Sequence, residues 1–273
     1  MRYRYLLLLI PLVLFFSCKK DLGTTTPPPA ISPVPAVLLK DIVIPNLPSP
    51  YYHFEYDLDG KVSFVSFASD LNRYNVVYNG NKISEMRNNI IVNKDTLRYS
   101  YDNTGKVEAV KYINEGGIVY TILFFTYDGQ NLIKVERDKK SGTGFTIDKT
   151  MMMTYYPDGN LKDITYHYLP FNGQTEGTFT ISFEQYDTKI NVDGFGLIHN
   201  EFFDHLVLLP GVQLQKNNPG KETLTGNGLN YIVDYTYSYN DKNLPLTKIG
   251  DLVITSGTDA GKHIQTTSTF TYY

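Results

Sequence analysis

Cys18 is the only cysteine in the chain, and its surroundings decide what chemistry it can do. Arg2 and Arg4 precede the apolar run Leu6–Phe16, and Ser17 sets a small residue directly before Cys18. Basic, apolar, small, then cysteine is the order of an export leader cut at a residue whose thiol then carries lipid. A helix needs about 20 apolar residues to cross a bilayer, so this run is a leader and not a lasting anchor. The competing reading is an ordinary secretory leader in which Cys18 is incidental; its place at the lipidation position argues against that. Once Cys18 is acylated no thiol remains, which excludes a catalytic cysteine and any disulfide.

The other chemistry-bearing clusters are weaker. In His199-Asn200-Glu201-Phe202-Phe203-Asp204-His205 the histidines are six apart, about 240° around a helix, whereas a zinc-binding helix needs them four apart. Only Glu201 and His205 share a face, so a solvated polar face explains the cluster better than a metal site. Asp57-Leu58-Asp59-Gly60 opens like a calcium loop, but Lys61 and Val62 follow where further acidic ligands belong. Gly142-Thr143-Gly144 and Gly226-Asn227-Gly228 lack the strand-to-helix setting and lysine of a phosphate cradle. No Gly-x-Ser-x-Gly elbow occurs, and no spacing singles out a carboxylate pair for glycoside hydrolysis. The sequence therefore assigns no catalytic residue, no cofactor and no metal, and an enzyme stays an open, weaker reading. The 23 tyrosines invite two readings, either strand residues half in the core or exposed platforms for sugars or a protein partner.

The elements that must position these residues follow from composition. Thirty-eight aromatic residues, all Tyr or Phe and none Trp, favour strands. Losing Arg2 and Arg4 with the leader takes the formal charge from −3 to −5, a balance that argues against nucleic acid as a partner. Eight of the 14 prolines lie between Pro27 and Pro50, after Thr24-Thr25-Thr26, which makes residues 18–50 an extended tether. Ala36–Ile44 within it is apolar enough to dock as an edge strand.

From Tyr51 one theme recurs. The copies include Phe54-Glu55-Tyr56-Asp57-Leu58-Asp59-Gly60-Lys61-Val62, Tyr99-Ser100-Tyr101-Asp102-Asn103-Thr104-Gly105-Lys106-Val107 and Tyr237-Ser238-Tyr239-Asn240-Asp241-Lys242-Asn243-Leu244. Its tyrosines at 56, 78, 101, 127 and 156 mark an array of one supersecondary unit. Alternation into a tight turn makes that unit a β-hairpin. Ile198–Leu209 breaks the theme with apolar residues at helical intervals before Pro210, predicting one short helix packed on the sheet or plugging it. The expected fold is all-β: an antiparallel hairpin meander of roughly fourteen strands over 51–273, coiled by its own twist into an open barrel or roll.

The hairpin unit resembles the YD repeat of Rhs-type shell proteins. Phe15-Phe16-Ser17-Cys18-Lys19-Lys20-Asp21 resembles the lipobox of Bacteroidetes lipoproteins, and residues 51–273 resemble a group of exported lipoproteins of that phylum. Tyr186-Asp187-Thr188-Lys189-Ile190-Asn191 and Lys216-Asn217-Asn218-Pro219 look like that group's shared central stretch. The resemblance implies a fold and an address but no activity. Lys19 after the cysteine implies the outer membrane, on either its periplasmic or its outer face. Two roles then compete: a lipid-anchored, non-enzymatic protein offering a β surface to a protein partner, or an accessory protein that binds polysaccharide.

Overall fold

The computed structural model describes residues 37–90, 94–192, 206–228 and 230–273. Alternation builds its strands. In Thr96–Tyr101, Leu97 and Tyr99 are buried while Arg98 and Ser100 are exposed; in Val119–Asp128, Thr121, Leu123 and Phe125 are buried while Phe124 and Thr126 are exposed. Period two places one face of each strand in a core and the other in solvent.

Sixteen such strands form. The first eight are β1 Leu39–Val43, β2 Tyr52–Tyr56, β3 Val62–Phe67, β4 Asn72–Asn79, β5 Lys82–Asn88, β6 Thr96–Tyr101, β7 Val107–Ile113 and β8 Val119–Asp128. The rest are β9 Asn131–Ser141, β10 Gly144–Tyr155, β11 Leu161–Tyr168, β12 Gly177–Glu184, β13 Lys221–Gly226, β14 Tyr231–Tyr239, β15 Pro245–Ile254 and β16 His263–Tyr272. Each pairs antiparallel with its sequence neighbours, and β1 pairs with β16 to close the barrel.

Two expectations are corrected. The barrel is closed and not an open roll, because β1 falls inside the apolar stretch 36–44 and supplies the strand that joins β2 to the far end of β16. Asp41 of β1 ties the seam on its outer side: its carboxylate meets His53 Nδ1 at 2.6 Å and accepts from Thr271 Oγ1 at 3.1 Å. The second correction concerns the helix. Ile198–His205 lies outside the described residues, and Leu206–Leu209 is irregular chain; no helix occurs among the described residues. All of Leu206, Val207, Leu208 and Leu209 are buried. Apolar spacing at these intervals predicts one face of a helix, but a run of four buried residues has no polar face to show. The plugging role survives without the helix: these residues join the same core cluster as Phe54, Tyr99, Val135 and Met151 from the barrel wall.

Barrels of 16 strands commonly enclose an aqueous channel. Here many lumen-facing positions carry large apolar residues packed in one core cluster, and the β12–β13 connection adds its own apolar residues among them.

Candidate functional site

The repeated hairpin turns all lie at one mouth of the barrel, and their chemistry is local. The Asp57 carboxylate accepts from the Asp59 and Lys61 N–H groups, each at 2.9 Å, and Asp102 does the same for Thr104 and Lys106. Asn240 substitutes for the aspartate toward Lys242 and Leu244. Gly60, Gly105 and Gly159 take positive φ at the matching place, where Asn243 takes the same conformation. Asp57 and Asp59 are thus turn residues, and Gly142 and Gly226-Asn227-Gly228 lie in or beside hairpin turns.

A bulge follows each of these turns, the extra residue on the returning strand being Ser63, Ser84, Glu108, Ile133, Lys162 or Leu246, opposite the step into Tyr56, Tyr78, Tyr101, Tyr127, Tyr155 or Tyr239. The extra residue lets the tyrosine and the aliphatic residue beyond the turn both face inward. Four tyrosines then reach back one hairpin. Tyr78 donates to the Val62 carbonyl at 3.1 Å, Tyr101 to Ile83 at 2.8 Å, Tyr155 to Leu132 at 2.6 Å and Tyr186 to Leu161 at 2.6 Å. At the seam Tyr56 donates to Leu39 and Tyr272 to Pro245. The turn lysine covers the next ring: Lys61 lies 5.6 Å from the Tyr78 centroid, Lys82 4.8 Å from Tyr101 and Lys106 5.2 Å from Tyr127. The repeat is therefore a lock between successive hairpins. Two tyrosines depart from it: Tyr239 bonds Asp187, and the buried Tyr127 hydroxyl has no hydrogen-bond partner among the described residues.

This arrangement also answers what the tyrosines are for. Among the described tyrosines only Tyr273 is exposed, and the rest are buried or half-buried. They form no solvent-facing aromatic stripe.

The plug is clamped at the same mouth. Tyr99 donates to the Leu208 carbonyl at 2.9 Å. The Asn160 side-chain Oδ1 accepts from the Lys216 and Asn217 N–H groups at 2.9 and 3.0 Å, and the Lys216 ammonium donates to the Asp158 backbone carbonyl at 2.9 Å. Asp187 accepts from the Asn218 N–H and from the Tyr239 hydroxyl. Lys216-Asn217-Asn218 is thus the strap that returns the connection to the sheet, and that is the physical content of the stretch singled out in the sequence. Beside the plug turn lies a cavity of about 500 Å³ lined by Thr104, Lys106, Tyr127, Gln130, Gly211 and Val212 among others.

Deeper in the lumen is a charged cluster that the sequence did not reveal. Arg137 and Asp148 have side chains 4% and 3% exposed, and Arg137 Nε donates to Asp148 Oδ1 at 2.9 Å while Nη2 meets the other oxygen. A bulge between Ile147 and Lys149 turns Asp148 toward its partner. Lys149 sits 4.6 Å from the Tyr168 ring centroid. Burial pushes the Lys139 ammonium down to about 8, helped by the charges of Arg137 and Lys149. The signal was present as a run of charges in β9, but alternation there reads equally well as an exposed strand.

Cys18 and the cluster His199, Glu201, Asp204 and His205 lie outside the described residues. Among the described residues no three His, Cys, Asp or Glu side chains are grouped to hold a metal.

No family model and no curated protein sequence matches the chain. Its likenesses are to solved structures. A porin-like protein from Bacteroides uniformis aligns with TM-score 0.55 at 10% identity, covering 81% of this chain and 89% of its own. A porin-like protein from Bacteroides vulgatus aligns at 0.54 with 15% identity, covering 86% and 99%. At such identity the likeness is one of fold, and it says that this chain is an all-β barrel of the same architecture.

Proposed function

We propose that the protein is an exported, non-enzymatic barrel, held at the outer membrane by lipid on Cys18, that works by presenting its outer wall and rim to a protein partner and does not conduct solute. The observation that carries this is which face is apolar. Following the registered pairs around the outside, Glu85, Arg98, Lys111, Ile122 and Asp138 form one row, and Phe124, Glu136, Thr150, His167 and Thr178 another. A barrel embedded in lipid needs an outward apolar band about 25 Å tall. A wall carrying Arg, Lys, Glu and Asp at mid-strand suits water, and the apolar residues are spent inside against Leu206–Leu209. On this reading the tether spaces a water-facing barrel from the bilayer.

Two measurements test it. The lipidated protein reconstituted in planar bilayers should give no stepwise conductance, and Cys18→Ser should move it from the membrane to the soluble fraction. Stepwise channels, or a Cys18→Ser chain that stays membrane-bound through carbonate washing, would overturn the reading. Protease treatment of intact cells, with the Thr/Pro tether as the weak point, decides between the periplasmic and outer faces.

A second reading, polysaccharide binding, has one feature in its favour. The cavity beside the plug turn combines the Tyr127 ring with the polar side chains of Thr104 and Gln130. Absence of retardation in gels loaded with a polysaccharide panel would remove it.

A further inference from the structure

β16 is longer than the strand that closes the barrel on it. Its pairing with β15 runs from His263 to Thr269, whereas β1 meets it only from Thr269 to Tyr272. Past Val43 the chain turns out of the sheet through Pro45, Pro48 and Pro50, so among the described residues the β1 side of His263–Ser268 is an open edge. His263, Ile264, Gln265 and Thr266 are all exposed, Ile264 at 40%.

Alternate residues of an antiparallel strand turn their N–H and C=O to the same side. The Lys262 carbonyl accepts from the Ile254 N–H on the β15 side, and the Tyr273 N–H donates to the Leu38 carbonyl on the β1 side. Odd-numbered residues therefore face the open side, and His263, Gln265 and Thr267 present backbone groups there that pair with no strand among the described residues. Native edges are usually blunted by Lys, Pro or a bulge. Ile264–Ser268 holds none of these, and its register with β15 is unbroken.

We propose that this edge is a homodimer interface, in which β16 of two copies pair antiparallel about a two-fold axis at Gln265. In that register Gln265 faces Gln265 and His263 faces Thr267, so every open-side N–H and C=O of the three residues is used. Ile264 of one copy lies opposite Thr266 of the other, a β-branched cross-strand pair that covers the exposed isoleucine. No like charges meet. A second copy fits better than a foreign peptide because the segment is self-complementary and uncharged from Ile264 to Ser268, with no charge for a foreign strand to read. An isologous contact of this kind closes at two subunits.

The test uses the chain from residue 18 with Cys18→Ser, followed by sedimentation from micromolar to submillimolar concentration. The expected result is a concentration-dependent monomer–dimer equilibrium. Gln265→Pro removes only an open-side N–H and should give a monomer with an unchanged melting temperature. Gln265→Cys places the sole thiol on the axis, where Cα atoms of a hydrogen-bonded pair lie about 5.5 Å apart, within disulfide reach. Mild oxidation should then yield a covalent dimer, while Thr236→Cys on the exposed face of β14 should not. A monomer throughout the range, a dimer that survives Gln265→Pro, or equal cross-linking at both cysteines overturns the proposal. The cross-link decides alone if the proline variant fails to fold.

Discussion

The walls on the two sides of the lumen are built from the same alternation and end up in different states. From β6 to β10, the inward residues Leu97, Val110, Leu123, Val135 and Met151 are fully buried, and a paired Arg137–Asp148 is buried with them. On β16 the corresponding inward residues Ile264 and Thr266 are exposed. The difference lies in what faces each wall. The first meets the plug and the locked hairpins; the second runs past the end of β1, and no strand among the described residues pairs with it there. Ring closure satisfies the backbone of a sheet only where the closing strand is long enough, and side-chain burial needs a filled lumen besides.

The largest test of this contrast is alkaline pH. Burial holds the Tyr78 and Tyr101 hydroxyls up to about 12 and raises Tyr99 and Tyr112 well above the ordinary range. A phenol whose folded pKa is raised contributes stability that is complete below about pH 10 and is lost as pH climbs through the folded value. Lys139 acts with the opposite sign: it releases its proton near 8 in the barrel and near 10.5 when unfolded, so stability rises with pH between those values. Urea midpoints should therefore rise slightly from pH 8 to 10 and collapse by 12. Tyrosinate absorbance should appear together with unfolding; ionisation well before unfolding would show that the ring is not locked.

Next in size is the buried ion pair. Arg137→Met leaves Asp148 buried without its partner and should cost about 3–5 kcal/mol, most of it recovered in the double variant with Asp148→Leu. Chemical denaturation measures both, and equal losses in the single and double variants would mean that the cluster is not desolvated.

A smaller pair of variants isolates the hydroxyl lock. Tyr101→Phe removes a bond to the Ile83 carbonyl and should cost about 1 kcal/mol, whereas Tyr127→Phe removes an unpartnered hydroxyl and should cost nothing or stabilise. Equal costs would deny the lock its repeat-by-repeat character. Smallest of all, Ile264→Thr on the exposed wall should change stability by no more than about 0.5 kcal/mol.

The hairpin array was legible because its signal is short-range. A Tyr, an Asp or Asn, a residue at positive φ and an aliphatic within nine positions specify a bulged turn wherever they occur, and all-β architecture follows from repeating it. The segment Leu206–Leu209 was legible as a plug but not as irregular chain, since apolar spacing records burial and not the backbone path. Of the lumen cluster only the run of charges in β9 was legible, and not its burial or pairing: Arg137 and Asp148 stand eleven apart, and a bulge in β10 brings them together.

What the sequence determined by itself is the hairpin unit and the antiparallel all-β class, because each depends on neighbours a few residues away; the leader cut before Cys18 stands as an expectation. Only the tertiary structure decided that the sheet closes, which face turns inward, and where an edge stays open. Those depend on a pairing between Leu39–Val43 and the far end of the chain, and on a connection folding back into the lumen. No local pattern encodes contacts made across more than two hundred residues, since their free energy appears only once every strand between them is in place.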